Sequence, residues 1–297
     1  MLIYPNNFLE VFIMSIFHKS PNKYVTEIAL KIENLDHALK FYRDIMGFKV
    51  LNLDKDKATL TADGINPIIT LEQPQDVKHK ELRRTGLYHY ALLLPNKKEL
   101  GKLIKHLREI KYPLVGAAHH GVSQAIYLQD LDDNGIEVYV DTPYTTWSWN
   151  KDTVDMVTEP LNLNKLIEEA KDEDWIEMPK ETIIGHIHLH VSNLEEAERF
   201  YVEGLGFDVV ARMPKQATFT STGRYHHHIA FNIWNGTNIP APSKNSIGMK
   251  YFSIKFPDEK SRQETVGNLI KLGYNIKQQG KIFITEDPSH NEIHLIV

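Results

Sequence analysis

The sequence of 297 residues contains no cysteine, which excludes a disulfide framework and catalysis by a thiolate. It also lacks an excess of positive charge, because 34 lysines and arginines stand against 39 aspartates and glutamates. This balance gives no electrostatic reason to expect nucleic acid or an anionic membrane as a partner. No apolar run approaches the roughly 18 residues that indicate a membrane span. Together these absences favour a location in the reducing cytoplasm.

The amino-terminal stretch MLIYPNNFLEVFIM lacks the features of a secretory signal. It has no basic flank, no long apolar core and no cleavage site of small residues. Met14 offers an alternative translation start. We therefore expect residues 1–25 to be an extension that precedes the fold.

An internal repeat organises the chain, and such repeats define architecture. The segments TEIALKIENLDHALKFYRDIMGFKV (26–50) and GHIHLHVSNLEEAERFYVEGLGFDV (185–209) align without a gap. Each begins as an alternating strand, reaches an asparagine that can cap a helix (Asn34 or Asn193), and ends in Gly-Phe, where glycine terminates helices well. We interpret the two segments as copies of one strand–helix unit.

A second, weaker repeat relates residues 87–113 to residues 249–275, and both copies are followed by related hairpins. The repeats predict an α+β fold of four βαβββ modules, near residues 26–74, 87–141, 184–234 and 249–297. We expect two domains of two modules each, at 26–141 and 184–297. A connector at 142–183 joins them and carries one helix near 162–172.

The segment GHIHLHV places histidines at positions 186, 188 and 190. Because alternate side chains of a strand point to the same face, all three imidazoles are expected on one side of the sheet. Aliphatic residues would pack better there, so the pattern indicates a polar cup with a chemical purpose.

The repeated L-x-x-A-x-x-FY…GF pattern, with GLYHYALLLP, NGIEVYVDTPYTTW and IGHIHLHVS, resembles the vicinal oxygen chelate superfamily over most of residues 26–297. That family includes glyoxalases, bleomycin resistance proteins and extradiol dioxygenases, and the most similar branch is the catechol-2,3-dioxygenase-like one. The resemblance implies paired modules whose curved sheets surround metal-binding cups.

Carrying the family's ligand positions onto this chain gives His89, Glu137 and His186. Two imidazoles and one carboxylate are the ligand set of non-haem Fe(II), with Mn(II) as the alternative. This set requires modules two and three to pair, whereas the family's metal normally lies between the third and fourth modules. A less favoured arrangement uses the carboxy-terminal modules, with His186, His228 and His294. The equivalent positions of modules one and four hold a poorer set: Glu27, Tyr251 and His294.

Four further residues match acid–base positions of the extradiol enzymes. Tyr127 stands ten residues before Glu137, and His120 lies just upstream of it. In the run YHHHIAF, His227 aligns best with the family's catalytic histidine, and His228 is the near alternative. The resemblance implies a hydrogen-bonding tyrosine and histidines that position substrate or transfer protons.

The expected function is therefore extradiol cleavage of a catechol or related hydroquinone. Its partners are a small aromatic diol and O2, with no nucleic acid and no membrane. A homo-oligomer is compatible with the sequence. Two alternatives remain open: another metal-dependent enzyme of the superfamily, such as a glyoxalase or lyase, and a non-catalytic protein that binds small molecules.

Overall fold

The four modules follow one another as the repeats predict. The computed structural model describes residues 15–297. Module one consists of β1 (Tyr24–Lys31), α1 (Leu35–Leu39) continued by a π-helical segment (Lys40–Ile45), β2 (Lys49–Leu53), β3 (Lys57–Thr61) and β4 (Ile69–Glu72). Module two consists of β5 (Gly86–Leu93), α2 (Lys97–Glu109), β6 (Gly116–His119), β7 (Ser123–Gln129) and β8 (Gly135–Asp141).

The connector and the second pair of modules complete the chain. The connector contains a 3-10 turn (Tyr144–Thr146), β9 (Trp149–Asn150), β10 (Thr153–Val154), β11 (Glu159–Pro160) and α3 (Leu163–Ala170). Module three contains β12 (Ile183–His190), α4 (Leu194–Glu198) continued by a π-helical segment (Arg199–Gly204), β13 (Asp208–Met213), β14 (Ala217–Ser221) and β15 (Ile229–Asn232). Module four contains β16 (Gly248–Lys255), α5 (Glu259–Lys271), β17 (Lys277–Gln279), β18 (Ile282–Glu286) and β19 (Glu292–Ile296). The expected α+β fold of four βαβββ modules is confirmed.

The two asparagines of the repeat begin the first helices of modules one and three. The Asn34 side chain accepts a hydrogen bond from the backbone N–H of His37. The Asn193 side chain accepts from the backbone N–H groups of Glu195 and Glu196. Such bonds satisfy donors that the first turn of a helix leaves unpaired, so the sequence fixes where each helix starts.

Two large sheets carry the modules. One has the strand order β17-β18-β19-β16-β1-β4-β3-β2, and the other has the order β11-β6-β7-β8-β5-β12-β15-β14-β13. Modules one and four therefore share the first sheet, and modules two and three share the second. One buried apolar cluster includes residues of all four modules, among them Leu30, Leu92, Leu189 and Ile254.

The two sheets do not coincide with the expected domains 26–141 and 184–297. Each sheet contains one module from the first range and one from the second. Buried hydrogen bonds join modules within a range instead. The Tyr42 hydroxyl of module one donates to Asp130 of module two at 2.7 Å. The Tyr201 hydroxyl of module three donates to Asp287 of module four at 2.9 Å. The repeated Phe-Tyr pair thus anchors each first helix to the following module, and the two-domain division stays a prediction.

Part of the expected extension 1–25 belongs to the fold. The Phe17 ring stacks on Trp147 with ring centroids 5.4 Å apart, and Nε2 of His18 lies 2.8 Å from the carbonyl oxygen of Gly185. Both side chains are buried. Met14, the alternative start, lies outside the described residues. In the described part of the chain, none of the helices is long and apolar enough to cross a bilayer.

We expect Tyr42→Phe to lower the free energy of unfolding by about 1–3 kcal/mol, since Asp130 would lose one of its buried donors and Tyr90 would lose its acceptor. Urea unfolding followed by circular dichroism measures the change. Tyr144→Phe is the matched control, because Tyr144 is 54% exposed, and we expect a change within about 0.5 kcal/mol. Equal losses in the two variants would contradict the anchoring role of Tyr42.

Candidate active site

The three residues expected to bind a metal lie on three neighbouring strands. β5 is hydrogen-bonded to β8 on one side and to β12 on the other. Ala91 of β5 is the backbone partner of Glu137 in β8 and of His186 in β12. His89 stands two residues before Ala91 and therefore projects to the same face. Strand pairing alone thus directs two imidazoles and a carboxylate to one side of the sheet, flanking a small alanine.

These side chains converge in a buried space. Nε2 of His89 lies 3.1 Å from Oε2 of Glu137, and Nε2 of His186 lies 3.2 Å from the same oxygen. One ligand atom from each residue lies within 4.8 Å of the other two, and all three residues are buried. Within residues 15–297, Nε2 of His89 has no hydrogen-bond partner of good geometry despite its 3.1 Å contact with Glu137, and an unpartnered buried nitrogen is unfavourable. The set can therefore hold a metal ion, which would satisfy that nitrogen.

The protonation of the cluster also suits a metal. Burial favours a raised pKa for Glu137, but the neighbouring imidazoles of His186 and His89 hold that pKa well below its usual range. Burial lowers the pKa of His186 to about 4, against the opposing effect of Glu137. At neutral pH the site then presents an ionised carboxylate and a neutral imidazole, which are the forms that coordinate cations.

Tyr127 and His120 form a hydrogen-bonded pair beside the cluster. Nε2 of His120 lies 2.7 Å from the Tyr127 hydroxyl, and Nδ1 of His120 lies 2.8 Å from the carbonyl oxygen of Val157. Because a carbonyl only accepts, Nδ1 of His120 carries a proton, and in this tautomer Nε2 accepts a hydrogen bond from the Tyr127 hydroxyl. Burial and the charge of Glu137 raise the pKa of Tyr127, so its hydroxyl stays protonated.

His227 lies against the expected ligand His186, with ring centroids 4.0 Å apart. Burial and the nearby imidazole of His186 hold the pKa of His227 well below its usual range, so the ring is neutral. His228, the alternative, is bonded elsewhere: its Nε2 donates to the carbonyl oxygen of Phe17, and its Nδ1 accepts from the backbone of Thr222. His227 therefore lies beside the ligand cluster. Both ring nitrogens of His228 are instead used in hydrogen bonds to the backbone.

The other two histidines of β12 form a second polar group. His188 lies with its ring centroid 5.1 Å from that of His89, and its Nε2 accepts from the amide of Asn232 at 2.9 Å. Nδ1 of His190 lies 2.8 Å from the amide oxygen of the same Asn232. One asparagine therefore fixes both rings, as a partner for imidazoles beside a metal site is expected to do.

Several residues near the cluster were not anticipated from the sequence. Tyr88 and Trp234 contact the His188 ring, with centroids 5.1 and 5.2 Å away. Asp141 and His226 form a hydrogen-bonded chain that reaches His227. His226 belongs to the triple-histidine run, so the sequence marked it as a candidate by residue type. Its partner Asp141 is remote in sequence, and no sequence pattern linked the two. A cavity at the start of β5 is lined in part by Tyr88, His89, Tyr127 and His190, which gives access to this group.

The equivalent positions of modules one and four form no such cluster. The Tyr251 and His294 rings stack with centroids 3.8 Å apart. Glu27 accepts a hydrogen bond from Thr70 at 2.7 Å, while Nε2 of His294 lies 2.9 Å from Glu292. Among residues 15–297, the convergent group of potential metal ligands is His89, Glu137 and His186. The alternative arrangement with His186, His228 and His294 is not formed, because His294 lies in the other sheet.

A family model and a curated relative match most of the chain. The model for the glyoxalase/bleomycin resistance protein/dioxygenase superfamily matches residues 25–139 and 183–295. A catechol-2,3-dioxygenase of Bacillus subtilis (strain 168) is 42% identical over 262 residues, which cover 87% of this chain and 92% of that protein.

Solved structures share the fold at low sequence identity. A putative dioxygenase from Bacillus subtilis subsp. subtilis str. 168 has a TM-score of 0.61 and 11% identity, and the match covers 92% of this chain and 84% of that chain. Glyoxalase I from Zea mays has a TM-score of 0.56 and 17% identity, covering 92% of each chain. Because both identities are low, these structures support the architecture and carry no argument about chemistry.

We expect His89→Ala to weaken the binding of Fe(II) or Mn(II) by more than about 100-fold, because loss of a ligand exceeds the effect of losing a ligand's hydrogen-bond partner. Isothermal titration under anaerobic conditions, with metal analysis of the desalted protein, measures this. His294→Ala, in the other sheet at the position equivalent to Glu137, should leave affinity largely unchanged. The reverse pattern would place the metal in modules one and four.

Proposed function

This chain belongs to the glyoxalase/bleomycin resistance protein/dioxygenase superfamily, in its catechol-2,3-dioxygenase-like branch, and we propose that it cleaves a catechol or related hydroquinone with O2. Cleavage is extradiol, next to the two hydroxyls, and places both oxygen atoms in the product. The observation that carries this proposal is the buried convergence of His89, Glu137 and His186 beside His227 and Tyr127. The Bacillus subtilis relative supports the same reaction class.

We propose that Fe(II) occupies the site, with Mn(II) as the alternative. Two imidazoles and one carboxylate suit non-haem Fe(II) and leave coordination positions free for small guests. When bound, the cation would supply positive charge that favours an ionised catechol at neutral pH. A glyoxalase or lyase of the superfamily would call for a fourth protein ligand, and among residues 15–297 the convergent group has three members.

The side chains around the metal site have different roles in substrate binding and proton transfer. His227 is neutral and can accept a proton from a substrate hydroxyl or stabilise negative charge that develops nearby. Tyr127 keeps its proton and can donate a hydrogen bond to a substrate or product oxygen. His120 holds the Tyr127 hydroxyl and is itself fixed by the connector through Val157. A non-catalytic binding protein would have no use for this set of groups around a metal site.

The site's enclosure favours a small aromatic substrate. The access cavity combines the aromatic side chains of Tyr88 and Tyr127 with apolar Leu87 and Met249. Flat aromatic rings pack well against such walls, while a few polar groups fix their orientation. We further propose that the reaction takes place in the cytoplasm.

Anaerobic reconstitution with Fe(II) or with Mn(II), followed by catechol and air, tests the proposed reaction. We expect a yellow ring-fission product, with one O2 consumed per catechol cleaved. An oxygen electrode and the visible spectrum follow the two quantities together. Protein that retains the metal but consumes no O2 with any catechol supplied would contradict the proposal.

We expect His227→Gln to lower kcat by about 10²–10⁴-fold, the usual contribution of a general acid or base. Metal content should stay within about twofold of the unsubstituted protein, because His227 contacts the His186 ring but is not a member of the convergent ligand group. His290→Gln provides the control, since His290 is exposed and pairs with Glu286. An unchanged kcat in His227→Gln would remove His227 from the reaction.

A further inference from the structure

Three side chains form a continuous hydrogen-bonded chain that ends beside the ligand cluster. Oδ1 of Asp141 lies 2.9 Å from Nε2 of His226. Nδ1 of His226 lies 2.9 Å from Nδ1 of His227. The His227 ring in turn lies against His186, with centroids 4.0 Å apart. β8, which carries Glu137 and Asp141, and the segment before β15, which carries His226 and His227, therefore form a polar connection that leads away from the expected metal.

The chemistry of these atoms assigns each proton. A carboxylate accepts hydrogen bonds, so Nε2 of His226 is the nitrogen that carries a proton. With that single proton on Nε2, the His226 ring accepts at Nδ1, and the proton in the 2.9 Å contact belongs to Nδ1 of His227. In a neutral imidazole the second nitrogen is an acceptor. Nε2 of His227 is thus left as the atom of that ring that can accept a proton.

The first two members of the chain are held rigidly. The His226 ring is fully buried and lies between Tyr225, at 3.9 Å between centroids, and Trp147, at 5.3 Å. The Tyr225 hydroxyl donates to the same Asp141 oxygen at 3.1 Å. Asp141 follows Glu137 by four residues in β8, and even spacing places both on one face of the strand.

We infer that Asp141 and His226 are positioning residues, which hold His227 in the tautomer protonated at Nδ1 and fix the orientation of its ring. This inference rests on the proposed function for what His227 does, while its tautomer is a property of the protein alone. The arrangement is similar to a catalytic acid–histidine pair, in which the acid orients the histidine base and does not itself transfer a proton. Here a second imidazole stands between the acid and the base.

The tautomers can be observed directly in the metal-free full-length protein labelled with ¹⁵N-histidine. Long-range ¹H–¹⁵N correlation spectra distinguish protonated from unprotonated ring nitrogens, and His227→Gln assigns the His227 signals by their disappearance. We expect His227 protonated at Nδ1 and His226 protonated at Nε2. His227 protonated at Nε2 would overturn the inference, whether or not the protein cleaves catechols.

Variants of His226 test the consequence for the reaction. His226→Phe keeps an aromatic ring but removes both nitrogens, and we expect kcat to fall about 10²-fold with KM and iron content within about twofold. His226→Gln restores one donor and one acceptor, and we expect it to recover most of that loss. Equal kcat values in His226→Phe, His226→Gln and the unsubstituted protein would overturn the positioning role.

Asp141→Asn gives a second measurement that does not depend on the folding of His226→Phe. An amide that donates to Nε2 of His226 reverses the whole chain, so His227 should shift toward the form protonated at Nε2, with a lower kcat. An unchanged His227 tautomer together with unchanged kcat would overturn the inference. If the unsubstituted, iron-loaded protein cleaves no catechol while the tautomers are as expected, the proposed function fails and the assignment of protons stands.

Discussion

The antiparallel pairing of β5 with β12 is the interaction on which the site depends. Through this pairing Ala91 faces His186, while β8 on the other side of β5 brings Glu137 to the same level. Side chains alternate along a strand, so a slip of one residue would turn either strand's histidines to the opposite face. No loop has to adopt a special conformation to assemble the three groups. The backbone hydrogen bonds between these strands therefore set the relative positions of the three side chains.

Burial of so many polar groups shapes the chemistry of the site. Removal from water favours neutral histidines, as the lowered pKa values of His186 and His227 show. Ring nitrogens away from water need partners, and Asn232, Asp141 and Val157 provide them for three histidines at distances below 3 Å. These partners select one tautomer for each ring. The environment of the cluster therefore determines which nitrogens are available to a metal or a substrate.

Comparing the two sheets distinguishes residues that the fold needs from residues that only the candidate site needs. Asn34 and Asn193 cap equivalent helices, and Tyr42 and Tyr201 bind equivalent aspartates. These residues are repeated because both copies must fold. The ligand positions are not repeated: in the sheet of modules one and four, a stacked Tyr251–His294 pair takes their place. One scaffold thus carries a convergent group of potential metal ligands in one sheet and side chains that pair with one another in the other sheet. The same fold can therefore be present with or without such a site.

The sequence by itself determined the local elements and the identity of the cluster's members. Capping asparagines, terminating glycines and alternating histidines act over a few residues, so the modules could be placed, and family resemblance singled out His89, Glu137 and His186. Other features depended on segments that meet only in three dimensions. The expected ligand set required modules two and three to pair, but local patterns do not encode which strand edges meet, and the structure shows modules one with four and two with three. For the same reason Asp141 and Asn232 could not be anticipated, since their roles arise from packing against histidines 85 and 44 residues away.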